Sequence, residues 1–162
     1  MNTLDVLKWG NATVVRSLEG VPMTEWQRPG VCGVWSVRQI VAHLASFEWL
    51  FVDALAILLE DAPTPHLDTL ARLGPGRFND FEVGRRDAQS PEETLAEYQS
   101  AFETAAGLAR RVPAERFRET GAARWYGADY DLDDVICYQY YGHKREHMAQ
   151  VDRFRDHEMA KR

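Results

Sequence analysis

Near the end of the chain Ile136, Tyr140, His143, His147, Val151 and Phe154 follow one another at steps of four, three, four, four and three residues. That is the seam of a helix packed into a bundle. Two successive seam positions carry imidazoles where leucines would be expected. Residues four apart on a helix share one face with Cβ atoms about 6 Å apart, so both rings can converge on one point. An earlier helical segment carries the stripe Ile40, His43, Phe47, Leu50, Ala54 and then Ile57 or Leu58. It places His43 on an apolar seam as well. Three imidazoles at inward positions of two helices are costly to bury unless something binds them, and a divalent metal ion is the simplest such partner. On spacing alone, ordinary core or surface histidines remain the competing reading.

The rest of the pattern predicts four long helices and no strand. The first runs from about Thr3 to Leu18, with Leu4, Leu7, Val14, Val15 and Leu18 at broadly helical spacing and Gly20 and Pro22 as stop signals. The second opens at Ser36-Val-Arg-Gln39, a capping box flanked by a Trp35 to Ile40 hydrophobic staple. The third opens at Ser90-Pro-Glu-Glu93 and ends before Pro113, with Arg110 and Arg111 in its last turn. The fourth begins near Asp131, with Asp133 and Asp134 in its first turn, and continues to Phe154 or beyond. Between the second and third, Asp61 to Gln89 is rich in proline and glycine and reads as irregular, with a short helical turn around Leu67, Leu70 and Leu73. The expected architecture is an all-α four-helix bundle in a single domain over residues 1–162, with that long connection between helices 2 and 3.

Bulk properties narrow the function. A chain of 162 residues can bury roughly 70% of its unfolded surface without disulfide staples. Nineteen Lys plus Arg against twenty-five Asp plus Glu give a net charge of −6, which argues against nucleic-acid partners, since phosphate neutralisation needs a clustered basic face. Cys32 and Cys137 form no CxxC pair and fit thiols in a reducing cytoplasm. The start, Met-Asn-Thr-Leu-Asp, has neither a basic region nor an apolar one, so we expect a cytoplasmic protein. The most apolar stretch, Val41 to Leu59, contains His43, Ser46, Glu48 and Asp53 and therefore reads as a buried core helix with no membrane partner.

The segment His143-Lys-Arg-Glu146-His147 also fits the HxxEH signature in which the glutamate is a peptidase's general base. Such enzymes take a further carboxylate from well downstream, and with fifteen residues following His147 we expect no peptidase. Taken together, Trp35-Ser36, His43 within Ile-Val-Ala-His-Leu-Ala, and His-Lys-Arg-Glu-His-Met-Ala-Gln-Val resemble the DinB/YfiT-like superfamily of metalloproteins. Phe78-Asn79 followed by Ser90-Pro-Glu-Glu is similar to the middle of its ClbS/DfsB-like relatives.

The resemblance covers nearly the whole chain and implies that His43, His143 and His147 ligate one divalent ion, zinc or nickel for preference and manganese as an alternative. It further implies an enzyme acting on a small molecule, either a low-molecular-weight-thiol-dependent transferase or a hydrolase, and a homodimer. It names no catalytic residue and no organic cofactor. The rival reading is a non-catalytic protein that sequesters a small molecule, its metal site structural or vestigial. Trp125, Tyr126, Tyr138, Tyr140 and Tyr141 are candidates for pocket walls or for core, and His66 and His157 for solvated side chains.

Overall fold

The computed structural model describes residues 2–60 and 62–159; Asp61, where the sequence places the start of the long connection, lies outside them, as do Met1 and residues 160–162. The helices run in the order α1 (Thr3–Glu19), α2 (Val37–Glu60), α3 (Pro65–Leu73), α4 (Pro75–Gly84), α5 (Pro91–Ala109), α6 (Leu132–Ile136) and α7 (Lys144–Arg153). A π-helical stretch, Cys137–His143, joins α6 to α7, and a second one, Phe154–Met159, follows α7. Among the described residues there is no strand, only an isolated bridge between Cys32 and Trp35. The fold is all-α.

Local signals start these helices where the sequence places them. Ser36 Oγ accepts from the Gln39 amide (3.3 Å) while the Ser36 amide donates to the Gln39 side chain (3.0 Å). Ser90 and Glu93 close the same reciprocal box on α5, and Asp131 and Asp134 on α6. Each box satisfies two of the backbone donors that a helix start leaves open.

α2 packs along α5, and α1 packs along the π-helical stretch and α7. Val37, Ile40, Val41 and Leu44 of α2 are fully buried in one core cluster, and Ala54 and Leu55 in the other. By length and composition α2 could cross a membrane, yet 72% of its most apolar window is buried inside the protein. Of the two candidates at the end of its stripe, Leu58 packs against the core and Ile57 is exposed.

Two expectations need correction. The connection between α2 and α5 is largely helical, as α3 and α4, rather than irregular. Pro65 and Pro75 each occupy a first helical turn, where a missing N–H costs nothing. Gly74, at φ 75°, makes the break between them. The Asp53 carboxylate of α2 accepts from the amides of His66 (2.6 Å) and Leu67 (3.1 Å) and so caps α3 from another helix. His66, expected in solvent, also bonds Asp53 through Nδ1 and stacks on Trp49. α4 is held by buried Arg86, which pairs with Glu82 and Glu97, both at 2.6 Å.

The second correction concerns the last helix, which is not α-helical throughout. The Lys144 amide bonds to the Gln139 carbonyl five residues back, and this wider turn broadens the inward face. Its buried positions accordingly come as neighbouring pairs: Gln139 with Tyr140, His143 with Lys144, His147 with Met148.

α1 approaches this stretch at Gly10, where a Cβ would lie 2.4 Å from the Tyr140 carbonyl oxygen and 2.7 Å from the Tyr140 Cβ. We expect Gly10→Ala to destabilise the protein by about 1–2 kcal/mol, because overpacking costs about 1–3 kcal/mol and exceeds the helix propensity gained. A lower urea midpoint at unchanged slope would show it.

Candidate metal centre

His43 lies two turns into α2, on the face turned toward the π-helical stretch. Its Nε2 is 2.9 Å from Nε2 of His143, and that atom is 3.1 Å from Nε2 of His147. All three residues are buried, with 3%, 8% and 8% exposure. The sequence singled out these three histidines, and the structure brings them together.

Each ring is held in a different way. His43 sits between Trp35 and Phe47, with centroid distances of 5.1 and 4.7 Å. Trp35 is delivered by a tight turn in which its amide bonds the Cys32 carbonyl (2.9 Å) and Gly33 takes φ 57°. His143 is flanked by Phe47 (4.7 Å) and by Tyr138, whose ring is parallel to it within 4° at 5.9 Å. His147 is anchored by a hydrogen bond, its Nδ1–H donating to the Gln150 side-chain oxygen at 2.9 Å. Since a neutral imidazole carries one N–H, this bond leaves a lone pair on Nε2 of His147, pointing at the other two rings.

Burial is the main influence on protonation. It pushes His43 down to about 2, helped by charge repulsion from His143 and His147. It pushes His143 down to about 3, helped by His147 and Lys144. His147 is lowered too, against the opposing pull of Gln150 and Glu146. The rings are therefore neutral over the physiological range, the state in which imidazole ligates metal.

A tetrahedral ion with metal–nitrogen bonds of 2.0–2.1 Å sets its donors about 3.3 Å apart. The two contacts of His143 Nε2, 2.9 and 3.1 Å, are within a few tenths of an ångström of that spacing and all three donors lie within 4.8 Å of one another, so the trio fits a divalent ion. Nδ1 of His43 and Nδ1 of His143 are buried without a protein partner, consistent with rings oriented by packing and by their Nε2 side.

Beside the trio lies a network that sequence reading missed. Lys144 is fully buried, and its Nζ donates to Glu48 Oε1 and, at 3.2 Å, to the Tyr98 hydroxyl. Tyr140 donates to the other Glu48 oxygen, and Tyr98 to Asn11 at 2.7 Å. Burial lowers the Lys144 pKa while Glu48 opposes the shift. Burial and the Glu48 charge hold Tyr98 and Tyr140 well above the usual phenol range. Glu48 in an otherwise apolar stretch was the available signal, but its partner lies 96 residues away.

The remaining candidates are not among the clustered nitrogen donors. Glu146 is exposed and is not one of the clustered ligand groups. No disulfide joins Cys32 and Cys137. Tyr140 is core, Tyr141 is exposed, and Tyr138 with Trp125 and Tyr126 lines a cleft. His157 is exposed, as expected.

The chain is thus an all-α protein whose three converging buried imidazoles could hold a metal ion. Residues 7–151 match the family model of the DinB superfamily, a span that includes all three histidines, and the chain belongs to that superfamily. Neither the curated proteins nor the solved structures give a match.

Two predictions follow from the trio. Unfolded imidazoles titrate near ~6.5, so below that pH the unfolded chain holds more protons than the folded one. Metal-free protein should lose stability as pH falls below about 6.5 and continue to lose it toward the lowered folded values, with no contribution from the trio above 6.5. Thermal melts in chelator from pH 8 to 4 measure this. Separately, Gln150→Leu should weaken zinc binding by ~10–100-fold in chelator competition, as loss of such a supporting bond does. Gln150→Glu, which keeps the acceptor, should bind at least as tightly as wild type.

Proposed function

We propose that this protein is a divalent-metal-dependent enzyme acting on a small molecule, as a low-molecular-weight-thiol-dependent transferase or a hydrolase. His43, His143 and His147 are its metal ligands and the fourth coordination position is open. The observation that carries this reading is the approach of three buried, neutral imidazoles through Nε2, joined by no cysteine or carboxylate among the described residues. Three histidines without a fourth protein ligand are the pattern of catalytic rather than structural zinc. A divalent ion held there supplies Lewis acidity that activates a water or a thiol.

The chain's own residues do the rest. The neutral rings offer lone pairs in place of protons, Gln150 orients His147, and Trp35, Phe47 and Tyr138 exclude water from the other two rings. In this reading α1, α2, α5 and the run from α6 to α7 are the members of a DinB-type four-helix bundle in one domain. All-imidazole ligation favours zinc or nickel over manganese.

The test is elemental analysis of untagged wild type beside His143→Ala. We expect about one zinc or nickel per chain in wild type and none in the variant. No metal in either, with no uptake on adding zinc, nickel or manganese, would overturn the metal reading. Given a metal, multiple turnovers of a thiol with an electrophile, or of a hydrolysable substrate, support the enzyme. Capture limited to one equivalent would support sequestration instead.

A further inference from the structure

The helix pairing that brings the trio together continues past it. α2 and the last helix run antiparallel here: His43 meets His143, and one turn further the Phe47 carbonyl accepts from Gln139 Nε2 at 2.9 Å. The next turns of both helices open into a cleft of about 90 Å³, walled chiefly by Phe47, Leu50, Leu70, Trp125, Val135 and Tyr138. Gln139, the one amide in the lining, already has its nitrogen bonded to Phe47.

Cleft and trio share walls. Phe47 packs on both His43 and His143, Tyr138 is parallel to His143, and both rings line the cleft. At ~1.5 Å of rise per residue, Phe47 and Leu50 lie about 6 and 10 Å along α2 from His43. Four larger hollows, of about 770, 570, 390 and 370 Å³, are lined neither by the trio nor by the rings that clamp it.

Size and lining define the occupant. An enclosed apolar cavity of roughly 150 Å³ holds benzene, so a smaller cleft with an open mouth takes one ring edge-on or a short branched chain. Nothing in its walls offers a charge to an ionic group.

We propose that this cleft is the apolar subsite of the centre, taking a single aromatic ring or a short branched alkyl group whose thiol sulfur is directed at the trio past the shared Phe47 and Tyr138 rings. The sulfur end rests on the metal reading given under Proposed function; the apolar end rests on the cleft alone.

The test compares benzyl mercaptan, 2-mercaptoethanol and the sulfur-free benzyl alcohol on cobalt(II)-loaded and on metal-free protein. The sulfur-to-cobalt absorption band reports the donor end. The Trp125 indole NMR signal, assigned with Trp125→Phe, reports the cleft. We expect benzyl mercaptan to bind at least ~10-fold tighter than 2-mercaptoethanol, as burial of a ring in apolar surroundings requires, and to shift the Trp125 signal. Leu70→Trp, which fills the cleft from a half-buried position, and Trp125→Ala, which removes a wall, should each abolish that preference and leave 2-mercaptoethanol unchanged.

Equal affinities for the two thiols with a silent Trp125 signal would overturn the subsite while keeping the metal reading. A Trp125 shift with benzyl alcohol on protein that shows no cobalt–sulfur band would retain the subsite and overturn the donor end. Neither signal would overturn both.

Discussion

Lys144 has no contact with water, and the rest of the arrangement follows from where its ammonium can be tolerated. A buried charge left without its counter-charge costs about 3–5 kcal/mol, so the last helix has one acceptable register against α2, the one that sets Lys144 on Glu48. Glu48 lies five residues beyond His43, Lys144 one residue beyond His143. Fixing the ion pair thereby fixes which turn of the last helix faces His43. Tyr140 completes the carboxylate's bonding from the same helix, and Tyr98 extends the network to α5 and, through Asn11, to α1. One polar group thus sets the relative positions of four helices.

The trio itself contrasts with that network. Glu48 and Lys144 answer each other's charge, whereas the imidazoles are deprived of charge by burial and face one another with lone pairs and at most shared protons. Hydrophobic rings clamp two of them and a single amide steers the third. Stiffness in the first two comes from packing, which tolerates small rotations of the ring in its plane. In the third it comes from a directional bond. A site built this way keeps its position through the core and its tautomer through Gln150.

Much of this was legible in the sequence, for identifiable reasons. The capping boxes at Ser36 and Ser90 and the acidic first turn after Asp131 are local signals, and the helices begin there. The seam from Ile136 to Phe154 is buried at every position named, because a period near 3.5 survives even a π-helical turn when the face is broad. The three histidines stood out because an imidazole on an apolar stripe conflicts with the pattern around it. What stayed hidden depends on distant partners. The cap that Asp53 provides to α3, the pairing of Arg86 and the Glu48 to Lys144 pair join residues that no local rule relates. The helical nature of α3 and α4 was obscured by Pro65 and Pro75, which here start helices instead of breaking them.

His43 and its partner His143 are separated by one hundred residues. During synthesis α2 emerges with its imidazole among aromatic rings long before the chain that completes the cluster exists. No fragment lacking the last helix can assemble the three rings, and no partly folded form in which that helix is undocked keeps them together. Convergence of the trio is therefore a report on the whole chain: whatever binds all three nitrogens binds only the finished fold, and draws the folding equilibrium toward it.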